Sequence, residues 1–85
     1  MNIADIRASV KASVARIANL DPEEISDSAS YKDDLLLDSL TILEIAVDAE
    51  YEFKVKIADE LLSEIRTVDD TVRVVQQHLE MAAVA

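Results

Sequence analysis

LLLDSLTILEIAVDAEYEF, residues 35–53, decides how the whole chain folds. From Ser39 to about Glu52 the run is rich in Leu, Ile, Ala and Glu with no helix breaker, and Asp38 in front of it is a good N-cap, so a helix is expected over residues 39–52. Successive helical residues turn by roughly 100°, which places Ile42, Ile45, Ala46, Ala49 and Phe53 within an arc of about 100°, the width of a core stripe. Leu40, Leu43 and Val47 fall on an arc of roughly 60° on the opposite side, where a small bundle has no second core to offer. They are expected to be exposed. Ser39 and Glu50 border this second stripe on one side, and Glu44, Asp48 and Tyr51 on the other. An apolar strip edged by carboxylates therefore begins at a serine.

The rest of the chain is read outward from this helix. Ile3, Ile6, Val10, Val14 and Ile17 recur three and four apart, predicting an amphipathic helix over residues 2–18. Residues 19–37 lack sustained periodicity. Within them Asp21-Pro22-Glu23-Glu24 combines a capping Asp, a first-turn Pro and a Glu three residues after the cap, which predicts one helical turn inside a long loop. Leu20, Ile25, Tyr31 and Leu35 are the apolar residues that would pin that loop across the bundle. After Phe53, Val55 and Ile57 alternate with lysines in a short link, and residues 59–65 read as a short helix. Thr67 and Asp70 form the two ends of a capping box ahead of a last helix over residues 68–80, and residues 81–85 are expected to fray. The expected architecture is an all-α small four-helix bundle, three main helices and one short one, in a single domain spanning residues 1–85.

Composition narrows the function. The chain has 85 residues, 51% hydrophobic, with a formal net charge of −10. That hydrophobic share is too high for a disordered acidic tail, and one modest core is all this length supports. An acidic surface repels nucleic-acid phosphates and attracts basic patches on proteins, so protein partners are expected and nucleic acid is not. No apolar run reaches the roughly 18 residues of a membrane span, and a soluble, cytoplasmic monomer is expected. Cys and Gly are absent and Pro22 is the only proline. Disulfides and glycine-rich phosphate loops are thereby excluded, and any thiol chemistry has to come from an attached group.

Ser39 lies in the first turn of the central helix. A hydrolytic serine needs a base, and the only histidine, His78, sits near the other end of the chain with no third member marked. Residues 27–38 are acidic but lack the sixth-position Gly and the alternating oxygen ligands of a calcium loop, so no metal site is expected. Between Asp33 and Phe53 there are seven acids and no Lys or Arg, which fits a docking face steered by charge better than a merely solvated one. A helix start also favours a phosphate on the serine oxygen.

The segment Asp34-Leu35-Leu36-Leu37-Asp38-Ser39-Leu40 resembles the modification site of acyl carrier proteins. The resemblance extends to Asp21-Pro22-Glu23-Glu24-Ile25, to Tyr31 ahead of Asp33-Asp34, to the Glu50-Tyr51-Glu52-Phe53 end of the central helix and to the link from Ile57 to Thr67-Val68. It implies a non-catalytic carrier in fatty acid or related polyketide biosynthesis. A separate phosphopantetheinyl transferase would attach the 4'-phosphopantetheine of coenzyme A to the Ser39 hydroxyl, with Asp38 presenting the serine to the transferase and its metal ion. By the same resemblance Leu40, Leu43, Glu44, Val47, Asp48, Glu50 and Tyr51 would meet the transferase and the acyl-transfer and chain-elongation enzymes through their basic patches. Ile45, Ala46, Ala49 and Phe53 would part to shelter an acyl chain. The sequence departs from the family at Leu36, where Gly is usual, and at Ala58, which replaces a common Pro; a left-handed backbone at Leu36 would be costly. The alternative reading is a non-covalent acidic interaction module docking through Leu40, Leu43 and Val47.

Overall fold

The computed structural model describes residues 2–84, with side chains to residue 80. The last helix, expected to end near residue 80, continues along the backbone to Val84, and the side chains of residues 81–85 lie outside the described residues. Four α-helices follow in order: α1 (Ile3–Ala18), α2 (Ser39–Phe53), α3 (Asp59–Leu62) and α4 (Val68–Val84), with a single 3-10 turn at Pro22–Glu24 between α1 and α2. The all-α bundle expected from the sequence is what the chain adopts.

Each helix end has a local cause. The Asn2 side chain accepts the amide of Asp5 at 2.9 Å and starts α1. At the other end Asn19 turns left-handed, φ 59°, and the Leu20 amide donates to the Ala15 carbonyl at 2.8 Å, closing the last turn. Asp38 caps α2 by accepting the Thr41 amide at 2.8 Å, and Lys54 ends it in a left-handed conformation. The α4 capping box is complete. The Asp70 amide donates to the Thr67 hydroxyl at 3.1 Å, and the Asp70 carboxylate accepts the Thr67 amide at 3.1 Å.

Helix α3 is shorter than the periodicity predicts, stopping at Leu62 rather than reaching residue 65. The amides of Glu64 and Ile65 donate to carbonyls three residues back, and the Ser63 hydroxyl donates to the Glu60 carbonyl at 3.1 Å. These bonds tighten the chain out of the α ladder. At its start Ala58 has φ −62° and no side-chain cap. That backbone already suits proline, and the Ala58 amide donates no hydrogen bond within the described residues. Ala58→Pro should therefore stabilise the fold by about 0.4–1 kcal/mol through the unfolded chain. A urea midpoint that moves downward instead would show that the α2–α3 link needs a freedom this conformation does not reveal.

The core sits where α1 meets α4 and α2. Ile6, Val10 and Val14 of α1 pack with Ile45, Ala46, Ala49 and Phe53 of α2 and with Val68, Val72 and Val75 of α4. The long loop is pinned into this core by Ile25, Ala29 and Tyr31, all buried, with Leu20, Leu35 and Leu37 half-buried against it. Its backbone also pairs with the link before α4: Ser30 and Thr67 form an antiparallel bridge, Tyr31 donates to the Arg66 carbonyl at 3.0 Å and Val68 to the Ala29 carbonyl at 3.2 Å. Charges brace the other side of the loop. Asp27 takes Lys11 and Arg7, and Arg7 also reaches Asp69 at 3.0 Å. The Lys11 hydrogen bond, with both nearby cations adding to it, holds the Asp27 carboxyl below the ordinary range.

Candidate functional site

Half-buried Leu35 and Leu37 bring the long loop onto the core, and the chain enters α2 directly after them. The amide of Leu35 donates to the Ser30 carbonyl at 3.0 Å, and that of Leu37 to the Tyr31 carbonyl at 2.7 Å. Asp38 and Ser39 then emerge exposed at the helix start. Hydrogen bonds from the Thr41 and Leu40 backbone hold the Asp38 carboxyl below its ordinary value, so it is ionised at neutral pH. No histidine approaches the serine: His78 lies on α4, with its Nδ1 2.8 Å from the Val74 carbonyl one turn back. Ser39 is an accessible hydroxyl with no histidine beside it among the described residues.

A cleft of about 590 Å³ opens beside it. Ile42, Leu43 and Ala46 of α2 form one wall and Leu62 and Ile65 the other, with Ser39, Lys32 and Arg66 at the margin. Sequence reading missed this cleft, because its far wall comes from the α3 region and no local pattern announces which face of α2 that region meets. Of the four residues expected to line a chain shelter, Ala46 reaches the cleft. Ile45, Ala49 and Phe53 instead surround an internal gap with no room for water.

The strip on α2 is open as expected. Leu40 is 65% exposed, Leu43 43%, Val47 40% and Tyr51 81%, and the loop does not fold over them. Glu44 is exposed beside them. The structure ties two of the other expected rim carboxylates into the chain itself. Arg16 of α1 donates to both oxygens of Asp48, at 3.0 and 3.1 Å. Burial opposes ionisation of Asp48, and the Ser13 hydroxyl and the Arg16 guanidinium outweigh it, holding the carboxyl below its usual range. Glu50 accepts the Ile57 amide at 2.8 Å and so fixes the link that follows α2. Both partners lie outside the stretch from Asp33 to Phe53, which itself carries no Lys or Arg.

Leu36 is the unusual residue. Its backbone is left-handed, φ 57°, at a cost of about 1–2 kcal/mol for a leucine, and its side chain is 82% exposed.

A family model described as the phosphopantetheine attachment site matches residues 8–75. The acyl carrier protein of Phenylobacterium zucineum is 35% identical over 77 residues, covering 91% of this chain and 98% of that protein. The chain belongs to the acyl carrier protein family. Members of this family are non-catalytic carriers whose prosthetic group is a covalent 4'-phosphopantetheine. The meromycolate extension acyl carrier protein of Mycobacterium tuberculosis (strain ATCC 25618 / H37Rv) is 40% identical over 73 residues, 86% of this chain. The chain spans 64% of that relative's length. Among solved structures, the solution structure of the apo doublet acyl carrier protein from prodigiosin biosynthesis superposes with a TM-score of 0.77 at 26% identity, over 87% of this chain and 36% of that one. No helix among the described residues is long and apolar enough to cross a membrane.

Proposed function

We propose that this protein carries acyl intermediates as thioesters in fatty acid or related biosynthesis, on a phosphopantetheine joined to Ser39. The observation that carries the reading is the exposed hydroxyl at the α2 start, beside an ionised Asp38 and at the margin of a largely apolar cleft. A tethered group needs an attachment oxygen that an enzyme can reach, and family membership supplies the group. In the joining step the Ser39 oxygen forms a bond to the phosphorus next to the pantetheine of coenzyme A. The hydroxyl proton is lost and the nucleotide part leaves. Once attached, the group supplies the thiol that this cysteine-free chain lacks.

The chain's own residues have three tasks in this reading. Asp38 presents the serine to the transferase and its metal ion. Leu40, Leu43, Val47 and Tyr51 give partner enzymes apolar contact, while Glu44 steers their basic patches; Asp48 and Glu50 add negative potential but are held by Arg16 and the Ile57 amide. The cleft between Ile42, Leu43, Ala46, Leu62 and Ile65 receives short cargo, and longer cargo requires Ile45, Ala49 and Phe53 to part. The cell compartment in this reading is the cytoplasm. The test is the intact mass after incubation with coenzyme A and a broad phosphopantetheinyl transferase: the carrier gains one phosphopantetheine, whereas a non-covalent docking module gains nothing.

The steering role is separable. Glu44 is exposed and makes no ion pair within the described residues, so Glu44→Lys should leave helicity unchanged. It should lower kcat/KM with an elongation enzyme roughly fivefold at low salt, a difference that fades as salt screens it. Asp48→Lys, by contrast, should also lower the melting temperature because it sets two cations against each other where Arg16 now pairs. Equal turnover of wild type and Glu44→Lys at low ionic strength would remove Glu44 from the docking face.

A further inference from the structure

Leu36 stands in a left-handed backbone that leucine adopts at a cost, yet its side chain makes no compensating burial, being 82% exposed. The conformation is imposed from both sides. Leu35 and Leu37 pack half-buried against the core, and their amides donate to the Ser30 and Tyr31 carbonyls at 3.0 and 2.7 Å. The turn that satisfies both neighbours throws the residue between them outward, three positions before Ser39. Glycine would take this turn without strain and would add no apolar surface beside the serine. A strained residue that the fold does not need, aimed at solvent beside the reactive hydroxyl, is where a contact with another molecule is to be sought.

We infer that Leu36 is a specificity-determining contact for the transferase that modifies Ser39, seating in an apolar pocket on that enzyme's basic docking surface. The inference rests on the attachment reading above. Position selects the occupant, since the transferase reacts at the Ser39 oxygen itself, whereas acyl-handling enzymes reach the cargo through the end of a long arm. Charge selects the rim of the pocket: Asp33, Asp34 and Asp38 are exposed around Leu36 in a chain of net charge −10, and Leu40, 65% exposed, continues the apolar surface onto α2.

The experiment compares wild type, Leu36→Gly and Leu36→Met with two enzymes, the transferase from the same cells and a broad phosphopantetheinyl transferase, following intact mass over time with coenzyme A. Leu36→Gly should raise KM for the cell's own transferase about tenfold with kcat unchanged, the effect of withdrawing one apolar side chain from a pocket. Its melting temperature should rise, because the strain is relieved. Leu36→Met, which keeps the apolar volume and the strain, should return KM to near the wild-type value. A higher melting temperature together with slower modification separates a binding role from a structural one. The inference is overturned if Leu36→Gly keeps the wild-type KM, or if Leu36→Met is as poor as Leu36→Gly. Should the wild type itself gain no mass with either enzyme, the attachment reading fails and takes this inference with it.

Discussion

Ser39→Ala should abolish the gain of one phosphopantetheine, while its circular dichroism and urea midpoint should stay close to those of the wild type. The loss should be complete because the substitution removes the proposed attachment oxygen itself. Stability changes little because the side chain is exposed and the helix cap belongs to Asp38, whose carboxylate accepts the Thr41 amide at 2.8 Å. Two other hydroxyls, Ser30 and Ser63, line the same cleft, which makes the measurement discriminating. If Ser39→Ala still gains mass, peptide mapping should find it on one of these, and the assignment of Ser39 is wrong. Asp38→Asn sharpens the result. Asparagine also caps helices well, so α2 should persist, but the negative charge is gone, and modification should slow at unchanged melting temperature.

Reading the chain alone reaches α2 and its two faces because helical periodicity is a local property. Residues three and four apart share a face whatever they meet, so Leu40, Leu43 and Val47 were legible as one stripe and Ile45, Ala46, Ala49 and Phe53 as another. The caps at Asp38 and Thr67 are legible for the same reason: both partners of each bond lie within three residues. What escapes is set by distant packing. Arg16 meets Asp48 across 32 positions, and Ser13, buried on α1, donates to Glu52 at 2.9 Å across 39. The cleft beside Ser39 likewise needs the α3 region to sit against α2, and that region carries only a four-residue helix with little pattern to read. Leu36 lies between the two cases. Its cost in a left-handed turn follows from sequence and sterics, but the turn itself is forced by Leu35 and Leu37 finding the core and the carbonyls of Ser30 and Tyr31.

Those carbonyls make Tyr31 the residue on which the site's approach depends. Its side chain is fully buried, its hydroxyl lies 2.6 Å from that of Thr71 on α4, its amide donates to Arg66 and its carbonyl receives Leu37. Tyr31→Ala should cost about 3–5 kcal/mol, the range for emptying a buried aromatic position. A domain of this size has roughly 4–13 kcal/mol in all, and the excess of like charge places this one toward the low end. The variant should therefore be largely unfolded near body temperature and be modified poorly at Ser39, although residue 31 lies eight positions away in sequence. Tyr31→Phe separates packing from the hydroxyl. It should cost about 1 kcal/mol, the net worth of one hydrogen bond. Burial, partly countered by the Thr71 hydrogen bond, pushes the Tyr31 phenol from 10.0 up to about 12. Below pH 10 the folded and unfolded chains both keep this proton, and the stability linked to it is fully present. Between pH 10 and 12 the unfolded chain loses the proton first, so about 2–3 kcal/mol drains away in the wild type. The two proteins differ only in this hydroxyl, so the comparison with Tyr31→Phe isolates the phenol. Urea midpoints measured from pH 8 to 12 should therefore cross, the wild type starting higher, falling faster and ending below Tyr31→Phe. Parallel curves would mean that the Tyr31 hydroxyl is wetter than its contacts imply, and that the loop leading to Ser39 is held by backbone bonds alone.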